Sequence, residues 1–249
     1  MKLSAPIYIL KQQAKATSHR NKVRLHVALN QIAAREGFKA WSHLASAWQR
    51  QDSSRTAYEY LRNGDLLLVG ARPGQGKTML SAGLAIEAMT RGHRAAFFTL
   101  ECTAAEVETL IEATGRKSCE FRDRWLLNTS EDISAAYVIR RLEGAPPGTL
   151  VVVDYLQLLD QRRDKPSLDE QVKELRAFAL ASQTMIVCLS QIGRAYAQAS
   201  KACPSMRDVR LPNPVDLSLF NKACFIHAGK MQLHTQPAPH NNRMQRSAS

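Results

Sequence analysis

From Leu61 onward, short runs of apolar residues alternate with longer segments whose apolar positions recur three and four apart. Leu66-Leu67-Leu68-Val69-Gly70 follows the turn signal Asn63-Gly64-Asp65 and reads as a strand with no polar face. Ala95 to Leu100, Leu150 to Val153 and Thr184 to Leu189 have the same character, and Trp125-Leu126-Leu127 reads as a shorter strand. Helical spacing fills the intervals: Lys77 to about Thr90, Thr103 to Ala113, Asp132 to Glu143 and Ser167 to Ser182. Pro146-Pro147-Gly148 breaks the third of these. Strands apolar on both faces and separated by helices imply a mostly parallel sheet with helices on both faces, an α/β fold.

Residues 1 to about 50 read differently. Leu25, Leu29, Ile32 and Ala33 share one helical face, Gly37 is a natural stop, and Phe38, Trp41 and Leu44 begin a second short apolar helix. The polar stretch Gln51-Asp52-Ser53-Ser54-Arg55-Thr56 reads as a linker. The chain thus divides into a basic N-terminal helical segment over 1–52, an α/β domain over 53–235, and a tail over 236–249. The tail is rich in Pro, Asn, Arg and Ser and is expected to be disordered.

Charge sharpens this division. The net charge is +12, yet residues 61–198 are balanced, at 17 basic against 17 acidic. The excess lies in residues 1–60, 10 against 3, and in 199–249, 7 against 2. Basic flanks fit a polyanionic partner such as nucleic acid, and they fit a solvated surface equally well. The same choice holds for the N-terminal hairpin, where Arg20, Lys22, Arg24, Arg35 and Lys39 surround a module that is either a DNA contact or a packing and oligomerisation handle. No run of eighteen apolar residues exists and the N-terminus lacks an apolar signal core, so the expected location is cytoplasmic, with no membrane partner. Five widely spaced cysteines without a Cys-x-x-Cys pair fit free thiols in a reducing compartment.

The chemistry begins at Ala71-Arg72-Pro73-Gly74-Gln75-Gly76-Lys77-Thr78. Glycines let backbone N–H groups curl around phosphate oxygens, Lys77 reaches the β- and γ-phosphates, and the Thr78 hydroxyl holds magnesium. The helix that follows points its N-terminal N–H groups at the anion. ATP and Mg2+ are the ligands this implies; the seven histidines show no metal-ligand spacing of their own. Asp154 closes the strand Leu150 to Val153, either as the magnesium-binding acid or as an ordinary strand end. Glu101 follows the strand Ala95 to Leu100, either as the carboxylate that activates the attacking water or as a cap for the next helix. Gln191, after Leu189-Ser190, is either a γ-phosphate sensor or a polar strand terminus.

Together these segments resemble the motor domain of the DnaB-type replicative DNA helicases, RecA-like P-loop ATPases. The stretches that carry the resemblance are the phosphate loop, Phe98-Thr99-Leu100-Glu101, Val153-Asp154-Tyr155-Leu156-Gln157-Leu158, and Leu189-Ser190-Gln191-Ile192-Gly193-Arg194. Asp-Tyr-Leu-Gln-Leu is the most specific, and the likeness covers roughly 60–228. The resemblance implies a RecA-like fold and ATP hydrolysis that drives movement along single-stranded DNA, in a homo-oligomeric ring such as a hexamer. It makes Lys77, Glu101 and Gln191 the catalytic group and Thr78 and Asp154 the magnesium ligands. It also points to Arg162-Arg163-Asp164-Lys165 and to Arg194–Arg210 as DNA-contacting loops. An ATP-switched accessory protein that binds DNA or a helicase without unwinding is the other reading. The resemblance has departures. The expectation is a compact form without the family's usual N-terminal domain. Lys230 is a candidate for one of the residues that reach a neighbour's ATP, and no clear arginine finger is present, Arg207 and Arg210 being the remaining options.

Overall fold

The computed structural model describes residues 3–5, 7–160, 165–194, 196, 203–211 and 213–236. Seven strands form one sheet in the order β3-β2-β4-β5-β1-β6-β7. They are β1 (Leu66–Ala71), β2 (Ala95–Thr99), β3 (Trp125–Asn128), β4 (Leu150–Asp154), β5 (Met185–Gln191), β6 (Lys222–His227) and β7 (Lys230–Thr235). Every pairing is parallel except β6 with β7.

The doubly apolar strands are explained by two cores. Leu67, Val69 and Ala71 of β1 pack in one layer with Leu80, Leu84 and Ala88 of α4 (Lys77–Thr90). Leu66 and Leu68, pointing the opposite way, join Val172, Leu175 and Ala179 of α7 (Leu168–Ser182). Helices therefore cover both faces, as expected for a parallel sheet. Helix α5 (Ala104–Glu112) starts from a reciprocal cap between Thr103 and Glu106, and α6 (Ala135–Arg141) from the Ser134 hydroxyl. Cys188 and Cys224 are part of the buried core; burial pushes both thiols up to about 12, so they serve as small apolar residues.

The N-terminal region departs from expectation. It holds α1 (Ile7–Asn21), α2 (Leu25–Arg35) and α3 (Trp41–Tyr60). Leu10, Ala14, Ala28 and Ile32 give α1 and α2 a small core of their own, and Gly37, at φ 84°, ends the chain's run beyond α2. The polar stretch from Gln51 to Thr56 is not a linker. It lies inside α3, which runs unbroken across residue 52 and docks on α4. The reason is a close helix crossing. Ser54 is buried and its hydroxyl faces the carbonyl of Leu80 at 3.5 Å, while a Cβ on Gly83 would lie 2.1 Å from the Ser54 Oγ. Ala57, Tyr58 and Leu61 continue the buried stripe, so the polar residues between them occupy the outer face.

Strands β6 and β7 are a further departure, since no strand is expected beyond Gln191, although Ala223–Ile226 is an apolar run and Met231 and Leu233 alternate with polar residues across the Ala228-Gly229 link. Leu233 and Met231 are only partly buried against the core, and β7 is otherwise largely exposed. Their connection, Ala228-Gly229, has φ of 49° and 74°, the geometry of a tight hairpin turn, with an alanine where such turns favour Asn or Gly. The tail expected to be disordered lies outside the described residues beyond Gln236.

Candidate phosphate-binding site

Strand register brings the sequence-derived residues to one edge. Ala71 pairs with Gln191 and Thr99 with Asp154, while Val153 pairs with Cys188, so β1 and β5 reach slightly beyond β2 and β4 and all four end at one edge of the sheet. This carboxyl edge is where ligands bind in open α/β sheets.

The loop Arg72–Gly76 leaves β1 and enters α4. Gly74 and Gly76 have φ of 74° and 89°. A Cβ at either would meet nothing within 4 Å, so these glycines are needed for backbone conformation, with the space around them open. The backbone at Gly74 and Gly76 thus adjoins open space next to the first turn of α4, while the Gln75 N–H donates to the Arg72 carbonyl at 3.2 Å. Lys77 opens α4 with its side chain only 9% exposed, and its ammonium points across the edge. It lies 3.0 Å from Glu101 Oε2 and 3.6 Å from Asp154 Oδ1, and 5.7 Å from the centre of the Tyr155 ring.

Glu101 stands two residues past β2. Its turn is fixed by Thr99, whose Oγ1 accepts from the N–H groups of Glu101 and Cys102 at 3.1 and 3.2 Å. It does not cap α5, since Thr103 and Glu106 perform that task. The helix-cap alternative for Glu101 is therefore removed, and its carboxylate is free to face Lys77. Thr99, named in the sequence only as part of the stretch Phe98–Glu101 and given no role there, is a positioning residue; a threonine at a strand end two residues before an acid is a legible turn signal.

Asp154 is 1% exposed. Burial raises its pKa; the nearby Lys77 ammonium and the Thr78 hydroxyl oppose this and Glu101 adds to it. Neither carboxylate oxygen closes a hydrogen bond of good geometry within the described protein. A buried carboxylate with both oxygens unfilled, beside a threonine hydroxyl, is a donor set that fits a hard divalent cation. No cluster of three or more His, Cys, Asp or Glu exists among the described residues. A cation held through one carboxylate, a hydroxyl and ligand phosphates is the usual arrangement for magnesium, which keeps several waters and needs no protein cage.

Gln191, the last residue of β5, is partly exposed and borders a cleft with Arg72, Arg194 and Arg210. Its carbonyl accepts from the Arg210 N–H at 2.8 Å, and the Gly193 N–H donates to the Asp208 carbonyl at 2.8 Å. The loop after β5 therefore leaves and returns at the same place. Two links tie it to the rest of the site. The Arg72 guanidinium donates to the Ile192 carbonyl at 3.2 Å, and the buried Gln157 amide donates to Ser190 Oγ at 2.9 Å and to the Arg210 carbonyl. Gln157 belongs to the Asp-Tyr-Leu-Gln-Leu run, but its bridging role is invisible without the fold. Arg162, Arg163 and Asp164 lie outside the described residues, as does most of the span between Arg194 and Cys203. Lys165 donates to the Ile133 carbonyl at 2.7 Å.

Comparison with known proteins supports the same likeness. The family model described as DnaB-like helicase C terminal domain matches residues 127–215. The chain is 26% identical over 206 residues to the replicative DNA helicase DnaB of Geobacillus stearothermophilus, covering 70% of this chain and 42% of that one. It is 29% identical over 181 residues to a probable plasmid replicative DNA helicase of Chlamydia muridarum, covering 60% and 40%. For the replicative DNA helicase DnaB of a Synechocystis strain the identity is 25% over 181 residues, covering 60% and 21%. The chain thus spans less than half the length of these relatives. Among solved structures, an ATPase domain superposes with TM-score 0.54 at 17% identity, over 70% of this chain and 75% of that one. A DnaB-like replicative helicase superposes with TM-score 0.55 at 17% identity, over 88% and 64%. The fold is RecA-like, and in sequence and fold the chain is similar to the motor domain of DnaB-type helicases.

Proposed function

Given that likeness, we propose that this protein is an ATP-dependent DNA translocase or helicase of the DnaB type, working on single-stranded DNA as a homo-oligomeric ring in the cytoplasm. The observation that carries the reading is the convergence of Lys77, Glu101 and Asp154, at 3.0 and 3.6 Å, at the mouth of the glycine loop.

In this reading the N–H groups of the loop 74–78 and the Lys77 ammonium hold the β- and γ-phosphates of ATP. Thr78 and Asp154 would hold magnesium, which would supply positive charge against the phosphate oxygens. Glu101, freed from Lys77 when phosphates take its place, orients a water molecule and accepts its proton. Gln191, at the end of β5 and beside Arg72, is the proposed γ-phosphate sensor. Loss of the γ-phosphate is relayed through Gln191, Arg72 and Gln157 to the segment Arg194–Arg210, which contacts DNA. The basic flanks add electrostatic affinity for the strand. Lys230 borders a cleft beside its own phosphate loop; a role at a neighbour's nucleotide requires the assembled ring.

The test is ATP hydrolysis with and without single-stranded DNA, together with sizing in a non-hydrolysable ATP analogue. Stimulation by DNA and a ring-sized species are expected. ATP binding without any stimulation, by a persistent monomer, would identify an ATP-switched accessory protein instead.

A further inference from the structure

The phosphate loop borders a second cleft, on the side away from Asp154, with a volume of about 350 Å³. Gly74, Gln75 and Gly76 form its floor. Met79 of α4 and Ile226 and Met231 of the β6–β7 hairpin supply apolar walls. The facing wall comes from α3, through Ser46, Gln49 and Ser53, which recur at helical spacing. The cleft is neutral apart from Lys230. This contrasts with the arginine-lined cleft at Gln191, on the other flank of the same loop.

Two glutamines lock this arrangement. The Gln49 amide donates to the Gly229 carbonyl at 2.7 Å, and the Gln75 amide oxygen accepts from the Ala228 N–H at 2.8 Å. Adjacent residues of one hairpin turn are thus held from two sides, by α3 and by the phosphate loop. Among the described residues the Gln49 amide oxygen has no hydrogen bond, which leaves it as an acceptor.

We infer that this cleft takes the base and ribose of the bound nucleotide, and that α3 supplies the polar groups that read them. The inference rests on the phosphate-loop reading, since the loop fixes where the nucleoside must begin. A flat aromatic base with polar edges suits a neutral cleft with two apolar walls and one hydrogen-bonding wall. Cationic surroundings would suit phosphate instead. The N-terminal helical region thereby becomes part of the nucleotide site, contributing specificity from outside the sheet-and-helix core.

Titration calorimetry of the full chain with Mg·ATP and with magnesium tripolyphosphate tests this, because tripolyphosphate has the phosphates and no nucleoside. Gln49→Ala, at an exposed position, is expected to weaken ATP about tenfold, the effect of one lost hydrogen bond with its alignment. Ser53→Trp, which fills the cleft, is expected to weaken ATP more. Both variants are expected to leave tripolyphosphate within about twofold of wild type. Wild-type ATP affinity in either variant, or equal weakening of both ligands, overturns the inference. Failure of wild type to bind either ligand is a distinct result: it removes the phosphate site itself, and the nucleoside cleft with it.

Discussion

The ammonium of Lys77 lies 3.0 Å from Glu101 Oε2, so the cation proposed to bind phosphate is paired with the carboxylate proposed to activate water. Both side chains are partly shielded, at 9% and 32% exposure, which strengthens the pair relative to one in open solvent. In the proposed function, phosphate oxygens and Glu101 compete for the same ammonium.

That competition gives the first expected outcome. Glu101→Gln removes the charge that neutralises Lys77, so ATP should bind at least as tightly as in wild type. Lys77→Ala should weaken binding by about a hundredfold or more, because a charge-assisted contact to phosphate is lost from a shielded site. Fluorescence titration with a labelled ATP analogue measures both. Weaker binding in Glu101→Gln would contradict the competition.

Asp154 predicts a trade between stability and activity. Its carboxyl is buried without hydrogen bonds, and its pKa is raised above the ordinary aspartate value, mainly by burial. A raised folded-state pKa means that this group favours folding below its unfolded pKa. That contribution is lost as pH rises through the folded value. Asp154→Asn should therefore stabilise the nucleotide-free protein by roughly 1 kcal/mol at neutral pH, or about 2–4 °C in Tm, with the advantage shrinking in acid. The same variant should lose hydrolysis. Melting curves of the two proteins across pH decide the matter; a variant less stable than wild type at neutral pH would show that Lys77 outweighs burial.

The α3–α4 crossing is testable through Gly83. A methyl group there collides with Ser54, so Gly83→Ala should destabilise the fold by about 1–3 kcal/mol, the usual cost of overpacking. Ser54→Gly in the same chain should recover part of that loss despite the lower helix propensity of glycine. Chemical denaturation of the single and double variants reads the coupling. Simple additivity would mean that α3 is not docked as described.

Gln157 joins β5 to the returning loop through Ser190 and Arg210. Gln157→Leu keeps the apolar volume and removes both donations. Basal ATP hydrolysis should stay within about threefold of wild type, while stimulation by single-stranded DNA falls ~fivefold or more, as expected when a coupling contact is cut. Steady-state assays at several DNA concentrations separate this from general damage, which would lower both rates together.

The carboxyl edge was legible in the sequence because its determinants are local. Glu101, Asp154 and Gln191 each close or follow an apolar run, Lys77 closes the glycine loop that leaves another, and a parallel sheet brings such ends together. What was not legible depends on partners far away in the chain. The Gln51–Thr56 stretch looks like a linker because its composition is polar, and only Gly83 shows that Ser54 belongs to a helix contact. The Gln49–Gly229 bond spans 180 residues and involves a backbone carbonyl, which leaves no trace in residue type. Strand β7 is an edge strand with few buried side chains, so its hydrophobic alternation is faint.

Single-turnover hydrolysis of ATP by wild type, Lys77→Ala and Glu101→Gln tests the site as a working unit. Wild type should cleave bound ATP. Lys77→Ala should fail for want of binding, and Glu101→Gln should hold ATP while cleaving it at least about a hundredfold more slowly. Equal cleavage rates in wild type and Glu101→Gln would contradict the assignment, and so would undiminished binding and cleavage in Lys77→Ala.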